Sequence, residues 1–535
     1  MRKIKSTNTH LHSALVLSGG GARAAYQVGV LKAIAHIMPE STRNPFGIIS
    51  GTSAGAINAV ALAAHADNFR NAVYNIESVW KMFRPHQVYR SDPVGVFTNA
   101  MRWVASLVFA SRNRSSLLDN RPLAHLLERM IGFEHIQDAI DNASSGNILH
   151  IWAWTYNENV DVDEAIVIIG NGTGNTTLNA TSSGKGFDIT SDDVTIKNIK
   201  VEGCGSTSAY NAFQVVGDDV TIENVIGKTC SKGVSIEGSG VWVGNSTFSN
   251  NVLHGAEIWV GDSTTTAVKI YKNNIWWNGN HGIKASEDDV VIKSNIIRNN
   301  TLDGIYLDGA ADSVISGNTI VDNDDGITVY NGAPRVLIKD NTISDSDKRG
   351  ISVTGSTSND GVIEANTITN SGTQGILIQH SDYYYLGNTS VSGSGSSDIQ
   401  FFKTTIGNSA KNTTFSSINV HANAYFAIYN DLTLKFMQNA TVGFEDLDVK
   451  LVSDGSTKYA TSYYSGSDSK TDSNGSISKD FTLKFRIYDG SSTPDEATTT
   501  LYYHYGVRAK AYNINMTTSH TETVIVPSFW KQGLI

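Results

Sequence analysis

The chain is poor in cysteine, in charged residues and in long apolar stretches. Two cysteines among 535 residues exclude a disulfide-rich scaffold and a four-cysteine zinc site. Charged residues account for 17% and hydrophobic residues for 40% of the chain, which is typical of a folded protein rather than a disordered one. Because no apolar run reaches the roughly 18 residues that a bilayer-spanning helix needs, we expect no transmembrane segment.

An export signal is also missing from the sequence as written. Residues 1–5 are basic, but the nearest apolar run, Ala14–Leu17, is too short for the core of a signal peptide. The later part of the chain has the composition of an extracellular repeat protein. The sequence therefore leaves the compartment open.

Charge and glycine are distributed unevenly along the chain. Residues 1–135 contain 15 Lys and Arg against 7 Asp and Glu, whereas the remainder contains 26 against 44. Glycine follows the same division, with 9 residues before position 136 and 39 after it. Such a shift predicts separate modules. The acidic remainder also argues against nucleic acid as a partner, because phosphate contacts require an excess of Lys and Arg.

Residues 1–135 show the pattern of a layered α/β fold. Ala14–Leu17 and Phe46–Ser50 are predicted as strands, and the apolar spacing predicts a helix over Ala24–Ile37. A second helix, rich in alanine, is predicted to run to about Ala64. The order strand, glycine-rich loop, helix, strand, tight turn and helix is the start of an α/β layer.

Two glycine-rich turns carry candidate catalytic residues. Gly51-Thr52-Ser53-Ala54-Gly55 fits the nucleophile elbow, in which a serine on a sharp strand-to-helix turn exposes its hydroxyl, although an ordinary turn of small residues has the same pattern. A glycine loop before the first helix also fits a dinucleotide-binding fingerprint, but Glu40 precedes the second strand and is misplaced for that role. The loop is instead expected to hold a negatively charged oxygen through the N–H groups of Gly19, Gly20, Gly21 and Ala22.

Together these motifs resemble the patatin-like phospholipase family. The resemblance rests on Ser18–Leu31 and Gly51–Gly55, and on Asp119–Leu123 further along. It implies a lipid acyl hydrolase that acts on a lipid or ester substrate, and we expect no cofactor and no metal. It also implies a serine–aspartate dyad without histidine, with Ser53 as nucleophile, Gly51 and Gly55 as the glycines of the elbow and Gly19–Arg23 as the oxyanion loop.

The aspartate of that dyad is the part that the sequence lacks. In the family it lies in an Asp-Gly-Gly or Asp-Gly-Ala motif near the end of the domain, whereas the resemblance here stops near residue 135. Asp308-Gly309-Ala310 has the motif, which makes Asp308 a candidate, but it lies among repeats in which Asp-Gly pairs mark turns. Because a serine without a base is a weak nucleophile, we expect a truncated α/β fragment that is inactive as written.

Internal repeats run through residues 136–425. A period near 22 residues with three short strands predicts the coils of a parallel β-helix. The segment resembles the right-handed parallel β-helix family with the pectin-lyase fold, and this resemblance suggests a polysaccharide or cell-surface ligand. The period is carried by a glycine series, Gly282, Gly304, Gly326, Gly350 and Gly375, and by an asparagine series expected to form an amide ladder, Asn198, Asn224, Asn245, Asn274, Asn295, Asn318, Asn341, Asn366 and Asn388.

Several residues of the repeats have two possible roles. Acidic pairs serve either as calcium or acid–base groups, or as turn residues ahead of strands, at Asp192-Asp193, Asp218-Asp219, Asp288-Asp289 and Asp324-Asp325. Four tryptophans form either a sugar-stacking strip or inward packing, namely Trp242, Trp259, Trp276 and Trp277. No role is assigned to His254, His281 or His380.

Three further expectations concern structure. Cys204 and Cys230 each lie six residues after an asparagine of the series, so they should be stacked neighbours with Cα atoms about 5 Å apart. A short amphipathic helix at 136–142 is predicted to cap the first coil. Alternating strands and turn clusters over 426–535 predict a small antiparallel β-sandwich.

Three functions remain open from the sequence. The first is a patatin-like hydrolase module joined to a β-helix associated with a surface or a polysaccharide. The second is a non-enzymatic extracellular β-helix that binds or supports, with an N-terminal fragment that is inert or artificially joined. The third is a β-helix lyase or hydrolase that acts on a polysaccharide.

Overall fold

The chain divides into two compact units. The computed structural model describes residues 13–39, 43–64, 66, 68–82, 135–181, 184–259 and 267–531. One unit spans Met1–Ala139 and the other Ile140–Ile535. The division falls within a short helix, Ile136–Asp141, close to the change in charge and glycine content at residue 135.

The described residues of the N-terminal unit before position 83 form two parallel strands and three helices. Strand β1 (Ser13–Leu17) pairs with β2 (Phe46–Gly51). The helices are α1 (Gly21–Ile37), α2 (Ala54–Ala64) and α3 (Phe69–Met82). The order of β1, α1, β2 and α2 is as predicted, but α1 begins three residues early, so that the last three residues of the predicted oxyanion loop form its first turn.

A small hydrophobic core holds this unit together. Leu17 of β1 packs in one cluster with Leu31 of α1, Leu62 of α2 and Phe69 of α3. The opposite side of the sheet remains open, since Val16 is 78% and Ile48 60% exposed. Exposed apolar strand residues are what the sequence predicts for a shortened sheet.

A short helix, α4 (Ile136–Asp141), lies where the two units meet in the sequence. Its apolar residues Ile136 and Ile140 are buried. The helix is one residue shorter than predicted, and its role as a cap of the first coil stays a prediction.

The second unit is built mainly as a right-handed parallel solenoid of about 12 turns. Sheet 1 has 16 strands: Ile148–Ile151, Val167–Gly170, Thr195–Lys197, Thr221–Glu223, Trp242–Gly244, Lys269–Tyr271, Val291–Lys293, Val314–Ser316, Leu337–Lys339, Val362–Glu364, Tyr385–Gly387, Thr405–Lys411, Ala424–Met437, Phe481–Asp489, Asp495–Glu496 and His520–Ile525. Sheet 2 has 11: Thr155–Tyr156, Thr177–Asn179, Lys200–Glu202, Ile226–Lys228, Thr247–Ser249, Asn274–Trp276, Ile296–Arg298, Thr319–Val321, Thr342–Ser344, Thr367–Thr369 and Ser390–Ser392. Sheet 3 has 12: Val160–Val162, Phe187–Ile189, Phe213–Val215, Val234–Ile236, Ala256–Ile258, Ile283–Ala285, Ile305–Asp308, Ile327–Tyr330, Ile351–Thr354, Gln374–Gln379, Ser397–Phe402 and Ile418–Val420.

Stacked apolar rows fill the interior of the solenoid. In sheets 1 and 2 the middle residue of each short strand points inward, whereas in sheet 3 the flanking residues do and the middle residue points outward. The parallel register places Ile292 beside Ile315 and Ile315 beside Ile338, all fully buried. Because each coil repeats the same contact, the rows form one continuous core.

The glycines of the predicted series lie above one another in successive coils, because adjacent coils leave no space there for a side chain. A Cβ placed on Gly304 would lie 2.7 Å from the carbonyl oxygen of Gly326 and 2.6 Å from Cγ2 of Ile320. The same close approach recurs at Gly282, Gly326 and Gly350. Any larger residue at these positions would push adjacent coils apart.

The buried amide ladder differs from the predicted asparagine series. Its rungs lie inside the coil corner between sheets 1 and 2, where Asn295 Nδ2 donates to Asn318 Oδ1 at 3.0 Å and Asn318 Nδ2 to Asn341 Oδ1 at 2.9 Å. Asn273, and not Asn274, is the rung before Asn295. The predicted series also mixed in residues one position earlier, which have left-handed φ and are not fully buried, namely Asn198, Asn224, Asn245 and Asn388. Asparagine suits both positions, because it tolerates the left-handed conformation and also pairs amide to amide.

A second buried ladder, absent from the sequence prediction, runs between sheets 2 and 3. Asn251 Nδ2 donates to Asn278 Oδ1 at 3.0 Å, Asn278 Nδ2 to Asn300 Oδ1 at 2.9 Å, and Asn300 Nδ2 to Asn323 Oδ1 at 3.0 Å. Where the two ladders overlap, between Asn273 and Asn323, adjacent coils are thus joined at two corners.

The two cysteines form a disulfide between adjacent coils. Cys204 and Cys230 are both fully buried, and their Cα atoms lie 4.7 Å apart. The prediction that they are stacked neighbours is confirmed.

The predicted C-terminal sandwich is observed in part. Ala424–Met437 pairs in parallel with the solenoid strand Thr405–Lys411 and antiparallel with Phe481–Asp489, so one of its sheets continues sheet 1. A separate four-stranded antiparallel sheet contains Asp448–Ser453, Ser456–Ala460, Thr499–Tyr505 and Arg508–Ile514. The predicted boundary at residue 426 falls inside the shared strand.

Candidate functional sites

Ser53 occupies the tight turn between β2 and α2. Its backbone has a φ of 52°, and its side chain is exposed. The left-handed conformation costs a residue with a side chain about 1–2 kcal/mol. Strain of this kind is characteristic of the nucleophile elbow, so the backbone has the geometry that the sequence motif predicts.

The glycines of the motif allow the chain to turn this tightly. A Cβ on Gly51 would collide with the carbonyl oxygen of Gly55, and a Cβ on Gly55 would collide with that of Leu17. The start of α2 therefore lies directly against the ends of β1 and β2. A larger residue at either glycine would separate the helix from the sheet and displace Ser53.

The glycine loop passes beside Ser53. Gly19 N donates to Thr52 Oγ1 at 3.1 Å, and a Cβ on Gly19 would lie 3.0 Å from Ser53 Cβ. Gly20, with a φ of 104°, ends the loop. Of the four N–H groups predicted to hold an oxyanion, that of Gly19 is thus already bonded, whereas those of Gly21 and Ala22 lie in the first turn of α1 and have no partner within the helix.

Asn58, which belongs to no sequence motif, joins the helices around the serine turn through hydrogen bonds. It is fully buried in α2, donates from Nδ2 to the carbonyl oxygen of Ala24 at 3.1 Å, and accepts from Trp80 Nε1 at 2.8 Å. Gln27 Nε2 donates to the Ser18 carbonyl oxygen at 3.0 Å. These bonds fix α1, α2 and α3 relative to one another and so position the glycine loop.

No carboxylate is assigned to Ser53. Among the described residues of 13–82 the one acidic side chain is Glu77, which binds Lys32 at 2.7 Å and Lys81 at 2.8 Å. Asp308 ends the sheet-3 strand Ile305–Asp308, in the other unit. The Asp119–Leu123 segment of the resemblance lies outside the described residues.

A second group of functional side chains lies on the outer face of sheet 3. Glu257, Lys284 and Tyr306 are outward-pointing middle residues of adjacent strands, side by side. The turns before these strands contribute further side chains to the same group. Each of these residues directly precedes the glycine at the start of a strand. We name the group the histidine–aspartate cluster, consisting of Lys232, His254, Glu257, His281, Lys284, Asp303, Tyr306 and Asp325.

Aromatic and imidazole rings stack along this cluster. The ring centroids of His254 and His281 lie 5.4 Å apart with the rings parallel, and those of His281 and Tyr306 lie 4.5 Å apart. Tyr330 continues the row at 6.1 Å from Tyr306. The exposed Trp259 follows the strand that carries Glu257, and 64% of its surface is accessible. Stacked rings therefore line the cluster, and the exposed side chain of Trp259 lies at its edge.

Burial keeps the histidines of the cluster neutral. Burial, aided by Lys284 and Lys232, lowers the pKa of His254 to about 4, and its Nδ1 is buried without a hydrogen-bond partner. Burial, aided by His254 and Lys284, lowers the pKa of His281 to about 3. The 3.8 Å contact of His254 Nε2 with Glu257 is therefore not an ion pair near neutral pH. Glu257 is instead neutralised by Lys232 and by Lys284, the latter at 3.1 Å.

Asp303 is a carboxyl group of the cluster with a pKa near neutral pH. Burial raises its pKa to about 7, and the negative charge of Asp325 adds to the effect. Its backbone N–H donates to Nδ1 of His281 at 3.2 Å, which places the proton of the neutral imidazole on Nε2. Burial also raises the pKa of Asp325, but Arg349, which binds it at 3.1 Å, opposes that shift. Neutral imidazoles beside such a carboxyl group form an arrangement suited to proton transfer.

The sequence analysis missed this cluster, although a signal for it exists. The predicted glycine series lies at the start of sheet-3 strands, and the residue just before the glycine faces the cluster. Reading that one position gives His281, Asp303, Asp325 and Arg349 in successive coils, and extending the series back to Gly233 and Gly255 adds Lys232 and His254.

The four tryptophans do not form a strip. Trp242 begins a sheet-1 strand, Trp276 ends a sheet-2 strand, Trp277 follows it, and Trp259 follows a sheet-3 strand. They lie on different faces of the solenoid, and none is fully buried. Both readings of the tryptophans, the strip and the inward packing, are therefore wrong.

Three of the four acidic pairs are turn residues. Asp192 Oδ1 accepts from the backbone N–H of Asp218 at 2.8 Å, and Asp218 Oδ1 accepts from that of Ser239 at 2.7 Å; Asp288 Oδ1 makes the same bond to Ala311. The pair Asp324-Asp325 instead binds Lys348 and Arg349. Among the described residues, no three His, Cys, Asp or Glu side chains are grouped to hold a metal ion. No described helix combines the length and apolar character needed to cross a membrane.

Comparison with protein families identifies two regions of the chain. Residues 15–200 match the family described as patatin-like phospholipase, and residues 185–343 and 258–415 match the right-handed beta helix region. The chain therefore has a patatin-like segment followed by a β-helix. The first match extends beyond the predicted end at residue 135, into residues 148–200, which form solenoid strands in the structure.

Solved β-helix structures are similar to the solenoid only distantly. The A-module of mannuronan C-5 epimerase AlgE6 from Azotobacter vinelandii is 15% identical with a TM-score of 0.42, over 52% of this chain and 92% of that one. An alpha-1,3-glucanase catalytic unit from Streptomyces thermodiastaticus is 16% identical with a TM-score of 0.42, over 53% and 66%. Gene product 12 of bacteriophage phi29 is 11% identical with a TM-score of 0.41, over 52% and 51%. No curated protein sequence matches the chain.

Proposed function

We propose that the N-terminal unit is a patatin-type acyl hydrolase module in which Ser53 attacks the ester of a lipid. The observation that carries the proposal is the left-handed turn at Ser53, held against the glycine loop at Gly19. The family match over residues 15–200 supports the same chemistry. The β-helix is proposed to associate this module with a surface or a polysaccharide.

The proposed reaction uses both glycine-rich turns. Ser53 Oγ forms a bond to the ester carbonyl carbon as its proton passes to a base, and the carbonyl oxygen becomes negatively charged. The free N–H groups at the start of α1, those of Gly21 and Ala22, stabilise that oxygen. The alcohol then leaves with a proton, and water releases the acyl group from Ser53.

The expected rate follows from the described residues of the N-terminal unit, which pair no carboxylate with Ser53. General-base assistance contributes roughly 10²–10⁴-fold to such reactions, and Glu77 is already bound by Lys32 and Lys81. We therefore expect slow turnover of carboxylic esters, and slow but detectable labelling of Ser53 by a fluorophosphonate, which is far more electrophilic than an ester.

Fluorophosphonate labelling of the full-length protein tests the proposal. We expect labelling of the wild type, none of Ser53→Ala, and unchanged labelling of Ser50→Ala, a control serine exposed in β2. Asp308→Asn is expected to label like the wild type, because Asp308 lies on the solenoid. An equal absence of label from wild type and Ser53→Ala would overturn the proposal, and loss of label in Asp308→Asn would make Asp308 the dyad acid.

A second candidate function is favoured by the histidine–aspartate cluster. We propose that it transfers protons during cleavage of a polysaccharide, with Asp303 as the general acid. As the glycosidic bond breaks, the protonated Asp303 gives its proton to the leaving oxygen. In hydrolysis water bonds to the anomeric carbon and loses a proton to solvent, whereas in elimination the sugar ring loses a proton and gains a double bond; sugar rings stack on Trp259. The supporting observation is a buried carboxyl group with a pKa near 7 beside neutral imidazoles.

New reducing ends, measured over a panel of polysaccharides, test this second function, and ultraviolet absorbance of an unsaturated product separates elimination from hydrolysis. Asp303→Asn is expected to lose about 10²–10⁴-fold in activity, while the turn variant Asp288→Asn retains it. Activity should fall as pH rises through about 7, where Asp303 loses its proton. Activity that is equal in wild type and Asp303→Asn would contradict the assignment.

A further inference from the structure

A shallow depression of about 250 Å³ lies on the outer face of sheet 1, away from the strands that carry the histidine–aspartate cluster. Three adjacent strands form it, with Trp242 beside Lys269 and Lys269 beside Val291 in one row. Tyr271 and Lys293 stand next to each other in the second row. We name this the sheet-1 depression. Two aromatic rings and two ammonium groups therefore line one concave area.

The floor of the depression depends on a glycine. Gly244 lies two residues after Trp242 on the same strand, and a Cβ on Gly244 would collide with the indole ring. The ring is thus laid flat on the backbone and is only partly buried. A flat, partly exposed indole is the surface on which the apolar face of a sugar ring stacks.

The lysines of the depression have no acidic partner among the described residues. Many other lysines of the solenoid are paired, as Lys197 is with Glu223 at 2.7 Å and Lys200 with Glu202 at 3.1 Å, although Lys339 has no ion pair among the described residues. No carboxylate of the described chain lies within ion-pair distance of Lys269 or Lys293, and Lys272 Nζ lies 4.9 Å from the centre of the Tyr271 ring. A positive area thus stands out on a region with 26 basic and 44 acidic residues after position 135.

We propose that the sheet-1 depression binds an anionic sugar unit of a polysaccharide chain. The sugar ring stacks on Trp242 and Tyr271, and its carboxylate or sulfate group is held by Lys269 and Lys293. The site is an anchoring subsite, because it offers no buried acid or base. The proposal deepens the association of the β-helix with polysaccharide stated above, and it stands independently of any cleavage at Asp303.

The solenoid contains a matched control for the aromatic ring. Tyr385 and Gly387 occupy the same two positions of a later sheet-1 strand, and a Cβ on Gly387 would lie 2.7 Å from the Tyr385 ring. The neighbouring Lys411, however, is paired with Asp431 at 2.8 Å. Packing of a ring on a glycine therefore occurs without free lysines, and Tyr385→Ala reports on packing alone.

Calorimetric titration of the full chain with defined oligosaccharides tests the proposal. The probes are oligogalacturonate, a chondroitin sulfate oligosaccharide and neutral maltohexaose. We expect the anionic probes to bind and the neutral one not to bind. Trp242→Ala and the double variant Lys269→Gln/Lys293→Gln should each weaken binding at least about tenfold, whereas Tyr385→Ala should bind like the wild type. Binding should also weaken with added salt.

The outcomes separate the proposals. Equal affinity for wild type and Trp242→Ala, or equal binding of neutral and anionic probes, would overturn the anchoring site. Chondroitin sulfate carries a carboxylate as well as a sulfate, so tighter binding of it than of oligogalacturonate would indicate sulfate as the group that the lysines hold, and equal binding would indicate a carboxylate. Asp303→Asn should bind the probes unchanged, so failure of the cleavage proposal leaves this one standing. Circular dichroism and disulfide content of each variant exclude misfolding as the cause of lost binding.

Discussion

The two units place residues in the left-handed backbone conformation for different reasons. In the described part of the N-terminal unit, Ser53 is the one residue with a side chain and a positive φ. In the solenoid, such residues recur at the same corner of successive coils, as at Lys272, Ser294, Asp340 and Ala365. A repeated outlier therefore belongs to the architecture of the coil, whereas the isolated one at Ser53 is the observation on which the proposed catalytic turn rests.

Side chains on the solenoid surface follow the same logic. A position that carries similar residues in successive coils serves the coil, as Thr319, Thr342 and Thr367 do on sheet 2. The histidine–aspartate cluster and the sheet-1 depression are instead places where residue types change abruptly from coil to coil. Departure from the repeat is thus the physical sign of a site in this unit.

The strongest test of the repeated architecture is a side chain in the glycine stack. Gly304→Val should destabilise the solenoid by more than about 4 kcal/mol or prevent folding, because adjacent coils cannot separate locally. Gly174→Ala, where a Cβ meets no atom within 4 Å, is the control. Chemical denaturation measures both, and similar stabilities of the two variants would show that the stack can relax.

A second test compares the cluster with an ordinary surface carboxylate. An aspartate ionises near pH 3.8 when unfolded, but burial raises the pKa of Asp303 to about 7 in the folded state. Folded-state stability is therefore lost as pH rises through about 7. Asp303→Asn should stabilise the protein by on the order of 2–4 kcal/mol at pH 8 and little at pH 4. Thermal denaturation at both pH values measures the difference, and Asp308→Asn, at a less buried position of the same sheet, is the control.

A third test separates the buried ladder from the exposed corner asparagines. Asn318→Ala should lower the free energy of unfolding by about 2–3 kcal/mol. The change leaves the amide of Asn295 without its acceptor, and it leaves buried backbone groups without a hydrogen-bond partner. Asn224→Ala, at an exposed left-handed position, should cost about 1 kcal/mol. Urea titrations compare the two, and equal losses would refute the inward register of the ladder.

The smallest expected effect is a gain in the stability of the N-terminal unit. Ser53→Gly should stabilise the N-terminal unit by about 1 kcal/mol, because glycine adopts the left-handed φ without strain, and it should abolish fluorophosphonate labelling. Ser50→Gly, within β2, should destabilise instead. Hydrogen exchange of peptides from β2 and α2 measures the change locally, and slower exchange in Ser53→Gly is the expected result. Unchanged or faster exchange would mean that the turn is not strained.

Local order in the N-terminal unit was predictable because its signals are short-range. The elbow around Ser53 and the order of β1, α1, β2 and α2 follow from apolar spacing and glycine positions. The start of α1 was predicted three residues late, since glycine is rarely read as helical although residues 21–23 form its first turn here. Asn58 went unnoticed because its bonds to Ala24 and Trp80 join residues distant in the sequence.

In the solenoid, the period was predictable but the assignment of asparagines to faces was not. Asparagine occurs at the left-handed corner and at the inward rung one residue later, so counting intervals could not separate Asn224 from Asn318. The pairing of Cys204 with Cys230 survived this error, because both were measured from the same kind of corner, at Asn198 and Asn224.

The sequence by itself determined the repeat period, the serine turn and the cysteine pairing, because each depends on spacing along the chain and on backbone preferences of glycine and asparagine. Only the tertiary structure decided which residues of neighbouring coils face the same solvent. His281, Asp303 and Tyr306 meet because parallel strands stack about 4.8 Å apart, and the pKa values of His281 and Asp303 are shifted because that stacking removes their water. Chemistry on the solenoid surface is therefore a property of the stacking of the coils.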